Sequence, residues 1–210
     1  ILFEVANVWL IMPVPGSQRL RSIDIAYFLY TWRWAFRALF VAMALASVKG
    51  AFAVRSWRKV APVLATLVAG AATYMTNFVM AADKMVRPAR TLTMAPVAQN
   101  KVDTARLIVG TVINGEARAY PVQFIGYHHQ VRDSIGGKAV LVSYCTVCRT
   151  GRIFTPEVGG SLENFRLVGM DHFNAMFEDE KTKSWWRQAN GEAITGDLKG
   201  TKLAELPSWQ

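Results

Sequence analysis

Acidic residues are nearly missing from the first half of this chain: residues 1–100 hold 3 Asp and Glu against 11 Lys and Arg, while residues 101–210 hold 12 against 13. The net charge of +9 therefore divides as +8 and +1. Because the excess flanks long apolar segments, it reads as membrane topology and contact with lipid headgroups, and it argues against nucleic acid as a partner. Cysteine and histidine are also scarce, with Cys145 and Cys148 the only thiols and His128, His129 and His172 the only imidazoles. No phosphate-binding glycine loop, no Gly-x-Ser-x-Gly element and no His-Glu-x-x-His helix is present. Nucleotide hydrolysis, esterase chemistry and zinc proteolysis are thereby left without support.

What the first half does have is hydrophobic length. Val60 to Ala82 runs twenty-three residues without a charge, enough to cross a hydrocarbon core of roughly 30 Å at about 1.5 Å per residue. Pro62 is tolerated near its start, where a helix has no use for the missing N–H. A second span is expected over residues 25–48. There Ala38–Val48 is apolar, and Tyr27, Phe28, Tyr30, Trp32, Trp34 and Phe36 crowd a membrane boundary. Arg33 and Arg37, four residues apart on one helical face, are placed to snorkel to the interface or to meet an acidic partner; interfacial anchoring is the expected role. The opening ILFEVANVWLIM is apolar over residues 1–12 and reads as the remaining end of a longer first helix. It has neither the basic n-region nor the small-residue cleavage site of a signal peptide. Three transmembrane helices within residues 1–87 are expected.

Loop charges set the orientation. Lys49, Arg55, Arg58 and Lys59 favour a cytoplasmic loop between the second and third helices, against Lys84, Arg87, Arg90 and Lys101 after the third. The compact first group is taken as inside, which sends the rest of the chain outside the cytoplasm. Residues 88–101, with Pro88 and Pro96, read as a tether, and residues 102–210 as a soluble domain. There Leu107–Ile113 and Glu116–Tyr120 flank Asn114-Gly115, the signature of a two-residue hairpin. Val122–Gln130 allows one or two helical turns. Gly136-Gly137 then turns the chain into the strand Ala139–Tyr144, which runs straight into Cys145. The fold class expected is α+β, with about three N-terminal transmembrane helices followed by a β-rich domain.

Cys145 and Cys148 are two residues apart, close enough to bind one metal ion or to form one disulfide. In a thioredoxin-like site such a pair opens a helix, whose N-terminus favours the thiolate. Here RTGRIF follows, a turn and a returning strand, so the pair sits on a knuckle between strands. A knuckle aims two sulfurs at one external point. The candidate imidazole ligands are His128, His129 and His172; soft thiolates with imidazole suit zinc or copper, and Cys145, Cys148, His128 and His129 are the expected metal site. Covalent haem is disfavoured, since Arg149 stands where Cys-x-x-Cys-His needs histidine. Two alternatives stay open: a thiol–disulfide oxidoreductase using the same pair, and cysteines that are simply packed or inert. Trp185-Trp186 with Arg187 could offer a stacking surface, but core packing is the expected role, and Glu178-Asp179-Glu180 is expected to be a solvated face.

The stretch INGEARAYPVQFIGYHHQVRDSIGGKAVLVSYCTVCRTGRIF, continued by SWWRQANGEAITGDLKGTKLAELPS, resembles the family catalogued as domain of unknown function 3179, over about residues 109–207. The resemblance rests on the NGEARAYP hairpin, an aromatic-His followed by Asp-x-x-Gly-Gly, the strand into Cys-x-x-Cys, then Trp-x-Gln and Gly-Glu-Ala-Ile. His128, Asp133, Cys145, Cys148, Trp186 and Gln188 fall on its motif positions. His129 replaces an expected acidic residue and Arg149 an expected glycine. The resemblance implies a prokaryotic protein of the inner membrane, its soluble domain facing the periplasm or exterior. Membrane lipids are the expected partners. An accessory role beside other membrane protein subunits is a third possibility for function.

Overall fold

The computed structural model describes residues 1–53, 57–89 and 91–210, with Arg58 described in its backbone only. Arg55 and Arg90, both counted in the loop charges above, lie outside the described residues. The chain forms two compact units, Ile1–Ala81 and Ala82–Gln210.

The first unit is helical, with α1 (Leu2–Ile11), α2 (Ile23–Thr31), α3 (Arg33–Ala53) and α4 (Val60–Tyr74), the last continuing as a π turn over Met75–Val79. Two helices, Arg33–Ala53 and Val60–Val79, have the length and apolar composition to cross a membrane. Helix α1, apolar over ten residues of this chain, stands outside that pair. The second expected span is divided at Trp32, because Arg33 folds back to donate to the Tyr30 carbonyl and lays its guanidinium over the Tyr30 ring, 3.8 Å from the centroid. A last-turn carbonyl of α2 is satisfied in this way. Leu39, Phe40, Val41, Met43 and Leu45 of α3, and Leu64, Leu67 and Val68 of α4, are all exposed, so these helices do not serve as the core of this unit.

Arg37 does not snorkel. It is buried, and its Nε and Nη2 each donate to the Glu4 carboxylate at 2.8 Å. Nη2 also donates to Asn77 Oδ1 at 2.7 Å, while Asn77 Nδ2 donates to Glu4 Oε2 at 3.2 Å. Asn77 lies in the π turn. The network therefore joins α1, α3 and the end of α4, the arrangement expected of a charge that must be paired inside apolar surroundings.

The second unit begins with a single turn, α5 (Ala82–Met85), and contains β1 (Ile108–Ile113), β2 (Glu116–Pro121), α6 (Val122–His128), β3 (Gln130–Ile135), β4 (Lys138–Cys145), β5 (Thr150–Phe154), β6 (Glu157–Val158), β7 (Ser161–Leu162), β8 (Phe165–Asp171), β9 (Asn174–Asp179), β10 (Trp185–Arg187), β11 (Glu192–Thr195) and β12 (Glu205–Leu206). The segment expected as a tether lies along this unit: Ala89 and Met94 pack against its core, and Tyr127 donates to the Met85 carbonyl at 2.9 Å. All strand pairs are antiparallel, in two four-stranded sheets, β12-β5-β4-β3 and β11-β10-β9-β8, and two hairpins, β1-β2 and β6-β7.

The Asn114-Gly115 hairpin forms as expected, with both residues at positive φ. Gly136 also has positive φ, and a Cβ there would come within 2.4 Å of the Ile113 carbonyl, so only glycine fits where this turn crosses the first hairpin. Its N–H donates to Glu116 at 2.7 Å, which holds that carboxyl below the usual carboxylate range. Val109, Tyr120, Ile135, Val140 and Ile153 are among the residues that fill one core. Tyr120 donates to Asp133 at 2.7 Å, and burial with that neighbouring carboxylate pushes the phenol well up from its ordinary value. Around the second sheet Trp185 and Trp186 are fully buried, as core packing requires. Glu178 and Asp179 are buried with them and accept the two indole N–H groups at 3.0 and 2.9 Å. These two carboxylates are thus not part of a solvated face; only Glu180 of that trio is exposed.

Candidate functional site

The two cysteines occupy a strand-turn-strand. Cys145 ends β4 and pairs in register with Thr150, the first residue of β5, so residues 146–149 form the loop and Cys148 sits on it. The loop closes through Arg149 at φ 52°, a conformation that costs a non-glycine residue of order 1 kcal/mol. Thr150 Oγ1 donates to the Cys148 carbonyl at 3.0 Å and fixes the exit from the turn.

A second hairpin supplies the other wall. Strands β8 and β9 are joined by His172-Phe173, both at positive φ, with Asp171 opposite Asn174. Asn174 Nδ2 donates to Cys148 Sγ at 3.0 Å, and its Oδ1 accepts the Ala189 N–H at 2.9 Å. Since a backbone N–H can meet only the amide oxygen, the amide's orientation is determined, and its N–H group faces sulfur. Cys145 Sγ lies 3.8 Å from the Phe173 carbonyl. Among the described residues six non-glycine positions have positive φ; of these Arg149, His172 and Phe173 lie in these two turns, and the carbonyl of a fourth, His129, accepts the N–H of Tyr144, next to Cys145.

The thiols are not equivalent. Both are free, but Cys145 is fully buried whereas Cys148 is half-buried. Burial pushes the Cys145 thiol up, as does its side-chain contact with Cys148, against backbone N–H groups of Cys148 and Ala175 that favour the thiolate. Gln188, also buried, braces the knuckle from below by donating to Ser143 Oγ at 3.1 Å and to the Thr150 carbonyl at 3.0 Å.

His128 and His129 face elsewhere. His128 ends α6 with Nδ1 2.5 Å from the Arg87 carbonyl. His129 is buried with Nδ1 2.8 Å from the Gly126 carbonyl, and burial pushes its pKa down towards the neutral form. Among the described residues no three His, Cys, Asp or Glu side chains come together as a set able to hold a metal ion. Cys145, Cys148, His128 and His129 are therefore not gathered into one site; the convergent donors are the two sulfurs alone, short of the four that structural zinc takes. Asn174 was missed in the sequence, because nothing local in it indicates a partner 26 residues away. Asp171 was missed as well. It accepts from Arg187 at 2.5 Å and meets His172 Nδ1 at 2.7 Å, stiffening the second turn.

No curated protein and no solved structure matches the chain. A family model does match, over residues 89–210, which takes in both hairpins, the knuckle and the Trp-x-Gln strand. By that match the chain belongs to the family described as protein of unknown function (DUF3179).

Proposed function

We propose that this protein is anchored in the prokaryotic inner membrane by its apolar helices and performs thiol–disulfide exchange, outside the cytoplasm, at Cys148 and Cys145. The observation that carries the reading is the pairing of two free, unequal thiols with a fixed N–H donor on the more exposed sulfur. In the exchange, the Cys148 thiolate attacks one sulfur of a disulfide and displaces the other as a thiolate. Cys145 then gives up its proton and attacks Cys148 Sγ, releasing the second thiolate and closing the Cys145–Cys148 disulfide. Two electrons pass from the protein dithiol to the disulfide, and the reverse sequence oxidises a dithiol. Arg33–Ala53 and Val60–Val79 supply the anchor.

Mass spectrometry of the protein equilibrated in thiol/disulfide buffers tests this reading. One internal disulfide forming and breaking reversibly is expected, with a trapped mixed disulfide on Cys148 in Cys145→Ala. A pair that stays reduced in every oxidising buffer would refute the exchange. Zinc or copper on the two sulfurs with His128 or His129 requires those side chains to rearrange. It predicts one equivalent of metal in the purified protein, lost in the Cys145→Ser/Cys148→Ser double variant, and that result would replace exchange with metal binding.

A further inference from the structure

Beside the knuckle lies a cavity of about 260 Å³ lined by Arg149, Arg152, Ser208, Trp209 and Gln210 with the first residues of β5. Its chemistry is that of an anion site. Arg149 follows Cys148 directly, is exposed, and uses only its backbone: its carbonyl accepts from Gln210 Nε2 at 2.9 Å, and its guanidinium has no partner among the described residues. Arg152 donates its Nε to the Ala189 carbonyl at 3.0 Å and is ion-paired with Glu205 at 3.4 Å, so Arg149 carries the charge left over at this cavity. Gln210 Oε1 accepts the Gly151 N–H at 2.8 Å, so one side chain clamps both ends of the cavity floor. Trp209, 54% exposed, offers a flat apolar wall. Arg149 takes φ 52°, a backbone conformation that favours glycine, and brings a guanidinium to the rim of the cavity.

We propose that this cavity is the recognition subsite for the disulfide that exchanges with Cys148, and that it selects carboxylate-bearing disulfides of peptide size. The inference rests on the exchange reading. A carboxylate a few bonds from the reacting sulfur would meet the Arg149 fork while that sulfur faces Cys148, and the peptide backbone would lie on Trp209. Exchange runs as above: the anionic disulfide is cleaved to two thiols as Cys145 and Cys148 are oxidised.

The test uses the full chain in detergent and measures oxidation of the reduced pair by three disulfides: oxidised glutathione (anionic), 2-hydroxyethyl disulfide (neutral) and cystamine (cationic). Wild type is expected to prefer glutathione disulfide over the neutral probe by about fivefold at low salt, the scale of an exposed charge pair, and to lose the preference in 0.5 M salt. Arg149→Gly and Arg149→Gln should both abolish the preference, so that the ratio of the glutathione disulfide rate to the 2-hydroxyethyl disulfide rate falls from about fivefold to about one. Equal slowing with all three probes would overturn the subsite, because Arg149 would then act on the Cys148 thiolate and not on the ligand. An unchanged preference in both variants would overturn it as well. Failure of wild type to react with any probe would refute exchange itself, and the subsite with it.

Discussion

Replacing Asn174 with alanine is expected to destabilise the reduced protein. Asn174 is buried; its Nδ2 lies 3.0 Å from Cys148 Sγ and its Oδ1 accepts the Ala189 N–H at 2.9 Å, so one amide ties the β8–β9 turn both to the knuckle and to the segment after β10. Truncation leaves the Ala189 N–H without its acceptor and the sulfur without its donor, which costs about 1–3 kcal/mol, most of it from the amide–carbonyl end because sulfur is a weak acceptor. For a chain of this size that loss lowers the thermal midpoint by roughly 2–4 °C per kcal/mol. The assay is the thermal midpoint of the reduced full chain in detergent, for wild type, Asn174→Ala and Asn174→Asp. The aspartate keeps an oxygen for the Ala189 N–H and removes the N–H that faces sulfur, so it should recover most of the loss. An Asn174→Ala midpoint equal to wild type, or an Asn174→Asp midpoint no higher than that of the alanine variant, would refute the reasoning.

Two further outcomes follow from buried groups. Burial raises the Cys145 thiol and lowers His129. The native state therefore holds the thiol proton more tightly than the unfolded chain, and its stability falls as pH rises above the ordinary thiol value of 9.0. The unfolded chain takes up the imidazole proton more readily, so stability also falls as pH drops below 6.5. Thermal midpoints of the reduced protein should form a plateau between these values, with Cys145→Ala flattening the alkaline limb and His129→Phe the acid limb; unchanged limbs would show that other groups govern them. In the helical unit, Glu4→Leu or Arg37→Leu alone is expected to cost about 3–5 kcal/mol by stranding the partner charge, while the double variant costs much less than the sum. Strict additivity, measured by denaturation in detergent, would mean that the pair at 2.8 Å contributes no coupling.

The parts of the fold that were legible in the sequence are those decided by neighbours in the chain. Asn114-Gly115 demands positive φ at two successive residues and so specifies its hairpin, and the run Ala139–Tyr144 into Cys-x-x-Cys and RTGRIF specifies a knuckle and not a helix start. The boundary between α2 and α3 was not legible, because it depends on Arg33 turning back to the Tyr30 carbonyl, and sequence favours a continuous helix there equally well. Glu178 and Asp179 looked like surface charge; their burial depends on two indole N–H groups and Arg166 arriving on adjacent strands. His128 and His129 looked like ligands because they are near the cysteines in the chain. Register puts the His129 backbone next to Tyr144, yet α6 ends there, and the His129 ring turns to the Gly126 carbonyl of its own helix while the His128 ring turns to the distant Arg87 carbonyl.

The sequence by itself determined that apolar helices precede a β-rich unit, that two thiols share one tight loop, and which family the unit resembles, since composition, period and spacing are properties of the chain. Only the tertiary structure decided what surrounds those thiols. Asn174 reaches Cys148 because β8 and β9 fold a distant hairpin against the knuckle, and the difference between a buried Cys145 and a half-buried Cys148 arises from that packing. Spacing brings two sulfurs together, but the Asn174 donor and the burial that make them unequal come from contacts that chain order does not encode locally.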